Sequence, residues 1–186
     1  DSQRVVRWKV SVNGQAVPAL LTTATGDKEA IWTCTAGAPE LVIVAEGEIE
    51  TGDTAGVVRG LKETVRPQVY LRSTPLTEAD AKIAALAASV SGATPLDRMH
   101  GLFNAVADAI TYKPGATSTQ TSAAQALKAG RGVCQDHAHV FISAARTINV
   151  PARYVVGYLL ALDGKLTETH AWAEAFVPEI GWVGFD

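Results

Sequence analysis

The hydrophobic period of this chain changes at Asn149-Val150-Pro151. From about residue 77 to that point apolar residues recur at steps of three and four; beyond it they alternate in twos. The first spacing lines one face of a helix and the second one face of a strand. A run of helices followed by a run of strands reads as an α+β plan, with helices packed on an antiparallel strand meander.

The helical stretch divides at its own punctuation. Thr77 with Glu78 and Asp80 marks a start, followed by the Ala-rich run from Ala81 to Val90 and a stop at Gly92. Thr94-Pro95 opens a second helix with proline at its first position. Leu96, Met99, Phe103, Val106 and Ile110 give that helix one buried face, and Lys113-Pro114-Gly115 is expected to end it. A Thr/Ser-rich loop over 116–122 leads to a short helix at Ala123–Lys128, broken by Gly130-Arg131-Gly132. A longer helix runs from Cys134 to Ile148, with Cys134, Ala138, Phe141, Ala145 and Ile148 as its apolar stripe. Strands are predicted at Arg153–Leu162, Glu168–Val177 and Trp182–Asp186, with turns at Asp163-Gly164 and Pro178–Gly181.

Upstream, residues 1–60 read as an antiparallel β module. Val5–Val10, Ala30–Thr35 and Leu41–Ala45 are its strands, the last expected to be buried, and Asn13-Gly14 is a hairpin turn. The chain opens at Asp1, and strands before it are expected to complete the module. Residues 61–76, with Arg66-Pro67 and Thr74-Pro75, form the linker, and 77–186 the core.

Composition then narrows the function. In 186 residues, 47% hydrophobic against 19% charged excludes a disordered chain. A formal charge of -3 and the lack of any Lys/Arg run argue against a nucleic-acid partner. The apolar runs are too short for a membrane span. Two cysteines, Cys34 and Cys134, make no disulfide framework, and a reducing, cytoplasmic setting is the expectation. Cys34 is expected to be a strand residue without chemistry.

Cys134 is the sharpest chemical signal. It falls at the first turn of its helix, where unpaired N–H groups and the helix dipole stabilise a thiolate and can cradle an oxyanion. Gly132 is expected to let the backbone approach a substrate closely. His170 shares a strand face with Trp172, Glu174 and Phe176, and a short turn would bring Asp186 beside it to orient the ring. Thiol, imidazole and carboxylate together are what covalent acyl transfer needs. A zinc site at Cys134, His137 and His139 is disfavoured: on one helix the two histidines point about 200° apart. His137 and His139 are expected at a rim or in packing, Asp136 as a charge complementing the dipole, and Tyr112 and Trp172 as pocket walls. Arg153 and Tyr154 are expected only to pack.

Four blocks in order resemble the bacterial transglutaminase-like superfamily: Gly130–Ala138, Val150–Leu159, His170–Glu174 and Gly181–Asp186. The resemblance covers roughly 70–186, and the upstream region looks like the β-rich module often found before this core. It implies a papain-like core with Cys134 as nucleophile, His170 as base and then acid, and Asp186 as orienting carboxylate. The family motif continues past the aspartate with Pro-Thr, whereas this chain ends there, so a fragment is expected. The implied activity is a cysteine-dependent amide hydrolase or acyl transferase working through a thioester on a protein or peptide, without metal or organic cofactor. Hydrolysis is favoured over glutamine cross-linking or deamidation. The reading from a different class is a binding module that keeps the fold and uses the groove to hold a peptide.

Overall fold

The computed structural model describes residues 3–34, 40–160 and 166–186, and these divide between two compact units, Asp1–Arg66 and Pro67–Asp186. In the first, β1 (Gln3–Val12) turns through Asn13-Gly14 into β2 (Gln15–Ala16). Both turn residues have positive φ, 47° and 80°, which suits an Asn-Gly hairpin. A small hairpin joins β3 (Leu21–Thr22) to β4 (Lys28–Glu29), and β5 (Ile43–Thr51) pairs antiparallel with β1. The β1–β5 register sets Arg4 opposite Glu50, Arg7 opposite Glu48 and Lys9 opposite Glu46, an exposed row of complementary charge. Such pairs choose register more than they stabilise.

Two expectations for this unit fail. Residues 30–34, including Cys34, are not in a strand, and Thr35 lies outside the described residues. Leu41–Ala45 is not a buried strand either: the strand begins at Ile43 and is exposed along its length. The acidic residues at alternate positions 46, 48 and 50 extend it, and they draw it into pairing rather than into a core.

In the second unit a 3-10 turn at Pro67–Leu71 precedes α1 (Ala81–Ser89), α2 (Pro95–Ala109), β6 (Thr111–Tyr112), α3 (Ala123–Ala129), β7 (Arg131–Gly132) and α4 (Cys134–Thr147). The sheet follows as β8 (Ala152–Leu160), β9 (Leu166–Val177) and β10 (Gly181–Phe185), antiparallel in the order β10-β9-β8. This is the papain-like α+β arrangement of the resemblance. The turn expected at Asp163-Gly164 lies outside the described residues.

Capping follows the side chains closely. Asp80 caps α1 by accepting from the Ile83 N–H at 2.9 Å, while Thr77 is buried and takes a hydrogen bond from Arg146. Thr94 with Asp97, and Ser122 with Gln125, close capping boxes on α2 and α3. α3 stops at Gly130 in the left-handed region, φ 62°.

The second helix ends earlier than Lys113-Pro114-Gly115. It stops at Ala109, and β-branched Ile110 and Thr111 pass into a short parallel pairing of β6 with β7.

The core lies between the helices and one sheet face. It holds Ile83, Met99, Leu102, Ile110, Val140 and Ile142 together with Ala173, Ala175 and Val177 of β9. The expected stripe of α4 is buried at Ala138, Phe141 and Ala145, but burial extends almost all round: Asp136, His139 and Ser143 are buried as well. α4 is therefore the central helix, wrapped by the others and by the sheet. No helix among the described residues is long and apolar enough to cross a membrane.

Candidate active site

Cys134 is the first residue of α4, with Val133 as the helix cap. The cap is built by a carboxylate from inside the helix: Asp136 Oδ2 accepts the Val133 N–H at 2.7 Å and the Thr117 hydroxyl at 2.6 Å. Asp136 is fully buried. It is thus more than a charge complementing the dipole, because it fixes the chain one residue before the cysteine. Gly132 has the same explanation. A Cβ there would stand 2.6 Å from Asp136 Oδ2, so the glycine makes room for this carboxylate, and the expectation that it admits a substrate is replaced.

Opposite, His170 lies on β9 and Asp186 follows β10 directly. The His170 Nε2–H donates to both Asp186 oxygens, at 2.7 and 2.8 Å. Those partners assign the proton to Nε2 and leave Nδ1 as the nitrogen able to take another. His170 is mostly covered, with its side chain 17% exposed, whereas Asp186 is 56% exposed. Trp172 stacks alongside the imidazole at 6.1 Å between centroids. Gly157 on β8 lets it lie flat, for a Cβ there would meet the indole at 2.7 Å.

Cys134, His170 and Asp186 line one cavity of about 270 Å³, with Tyr112 and Trp172 among its walls. His137 also lines it, but its ring nitrogens lie 2.9 Å from the Val133 carbonyl and 3.0 Å from the Ile110 carbonyl, so it joins the head of α4 to the end of α2. His139 goes elsewhere. It is buried against Tyr154, ring centroids 5.0 Å apart, beside a second cavity of about 310 Å³ that includes Gln135 and Arg146. Burial holds the His139 imidazole below its ordinary range, opposed by nearby Asp136 and aided by Arg146. Burial, and then the charges of Cys134 and Asp136, push the Tyr154 phenol up.

Arg153 does more than pack: it bonds Glu174 at 2.7 and 2.8 Å and lies 4.1 Å over the Trp182 ring. The signal for that pair was Arg153 and Glu174 facing each other across β8 and β9. The contribution of Phe103, Val106 and Ala107 to the cavity was missed. The first two stand on an ordinary buried stripe, which by itself signals core.

Comparison with known proteins bears on the family and the fold. The sequence profile described as "Transglutaminase-like superfamily" matches residues 84–186, more than half of the chain. The protein ML0607 of Mycobacterium leprae is 41% identical over 83 residues, covering 41% of this chain and 29% of its own length. Rv2569c of Mycobacterium tuberculosis is 39% identical over 88 residues, covering 41% and 28%. The chain thus spans less than a third of these curated relatives. A solved structure described as a candidate cysteine protease from Cytophaga hutchinsonii superposes with a TM-score of 0.65 at 21% identity, covering 100% of this chain and 66% of that one. At that identity the likeness speaks for the fold.

Proposed function

The chain belongs to the transglutaminase-like superfamily, and on that premise we propose that it is a cysteine-dependent hydrolase of amide bonds in a protein or peptide. The observation that carries the reading is the His170–Asp186 hydrogen bond on the wall of a cavity that Cys134 also lines. Asp186 holds the ring with Nδ1 available, and Nδ1 takes the thiol proton as Cys134 Sγ attacks the carbonyl carbon. Backbone N–H groups at the head of α4 stabilise the oxyanion. The C–N bond breaks, the amine leaves with the proton from Nδ1, and a thioester remains on Sγ. Water, deprotonated by the same nitrogen, attacks the thioester and releases the acid and the thiol.

The test is the pH dependence of Cys134 alkylation by iodoacetamide, read by mass spectrometry with Cys34 as internal reference. The expected result is a Cys134 rate that persists well below pH 8 and collapses in His170→Ala. A rate that follows an ordinary thiol and ignores His170 overturns the reading and favours a binding module on the same fold.

A further inference from the structure

The cavity beside Cys134 is apolar apart from its catalytic rim. Phe103, Val106 and Ala107 of α2, Ala138 and Phe141 of α4, and Phe185 of β10 make its wall, and no Lys, Arg or Glu lines it. Phe141 and Phe185 stack at 4.9 Å, and Phe103 lies 6.3 Å from Phe185, so the floor is a cluster of aromatic faces. His137 presents a ring here rather than a hydrogen-bonding group, because both its nitrogens already face the carbonyls of Val133 and Ile110. A polar or charged group passing beyond Tyr112 and the catalytic rim gives up its water against aromatic and aliphatic faces. An apolar side chain loses only unfavourable hydration. A glutamine side chain reaching Cys134 with its own amide offers two methylenes and leaves the wall uncovered.

We propose that this cavity is the specificity pocket of the site, holding a large apolar side chain, of phenylalanine or leucine size, on the peptide whose adjoining amide is presented to Cys134. The proposal rests on the hydrolase reading above and narrows its substrate class. Ala107 is the residue through which the pocket can be altered from outside. It lines the cavity from the exposed side of α2, so a larger side chain there fills the mouth without entering the packed core.

The experiment compares the alkylation of Cys134 by N-acetyl-phenylalanine chloromethyl ketone and N-acetyl-glycine chloromethyl ketone, each forming a thioether and releasing chloride. Each rate is normalised to the reagent's rate with glutathione and, for each variant, to iodoacetamide at Cys134. The expected preference for the phenylalanine reagent is about 10- to 100-fold. It is expected to fall to within about 3-fold of unity in Ala107→Phe and to an intermediate value in Ala107→Leu, with circular dichroism verifying both folds. A wild-type ratio near one, or a preference that survives both variants, overturns the pocket. The two readings fail separately: iodoacetamide alkylation that ignores His170 sinks the hydrolase but leaves the ratio to report on the pocket. A His170-dependent rate with a ratio of one sinks the pocket alone.

Discussion

On one side of α4 the first turn presents Cys134 to an apolar cavity, with Ala138 and Phe141 below it. Round the far side of the same helix Asp136, His139 and Ser143 are buried, and His139 lines the second cavity with Thr77, Arg146 and Tyr154. One side is partly open and holds Cys134, half-buried, at the cavity wall. The other is closed at its head, where the fully buried Asp136 carboxylate holds two hydrogen bonds that fix the helix cap. The difference assigns them different sensitivities: substitutions on the open side should alter chemistry and spare the fold, and those on the closed side should do the reverse.

The largest effect expected is on the open side. Cys134→Ala should cut turnover of a cleavable peptide by about 10⁴-fold or more, as for other covalent nucleophiles. Its melting temperature should stay close to wild type, since the side chain is only half-buried. Residual turnover within tenfold of wild type would show that the thiol is not required for the reaction. On the closed side, Asp136→Ala leaves the Val133 N–H and the Thr117 hydroxyl without their acceptor. Urea unfolding should show a loss of about 2–4 kcal/mol, one to two units for each buried group left unmet. A loss below 1 kcal/mol would mean that the cap does not depend on this carboxylate.

Gly132→Ala should disturb the same cap more mildly. Its Cβ would press on Asp136 from 2.6 Å, and about 1–3 kcal/mol should be lost through displaced hydrogen bonds. An unaltered unfolding midpoint would show that the carboxylate can retreat. The smallest effect is a matter of pH. Burial favours neutral His139 in the folded protein, so the unfolded chain binds the extra proton first as pH falls below about 6.5. Stability is complete above that value and declines below it, and His139→Gln should flatten this decline in urea titrations run across pH 5–7. An equally steep decline in the variant would place the sensitive group elsewhere.

The division between the two sides was only half readable in the amino-acid sequence. Cys134, Ala138, Phe141 and Ala145 stood out because apolar spacing marks a buried face. On the far side Asp136 read only as a charge complementing the dipole and His139 as a rim or packing residue, since a lone sequence cannot say that α1, α3 and the sheet pack against this helix. His170 and Asp186 could be set on neighbouring strands because strand alternation and a short turn fix register locally. The cavity that they share with Cys134 required tertiary contacts between residues distant in sequence. In the first unit local rules served the Asn13-Gly14 turn well. They failed for Leu41–Ala45, where an apolar run signalled a buried strand but a charged ladder decided the pairing.

The two-residue pairing of β6 with β7 has a mechanical consequence. Through Thr111 with Arg131, Tyr112 with Gly132, and the His137 ring between two carbonyls, the end of α2 is tied to the residues just before Cys134. Tyr112 and the cysteine therefore travel together, as one plate. Widening the cleft by swinging that plate would require breaking ladder bonds such as the Lys113 N–H to the Gly132 carbonyl at 2.7 Å. Hydrogen exchange should report this directly: the Thr111 and Lys113 amides should open in a single cooperative event with those at the head of α4.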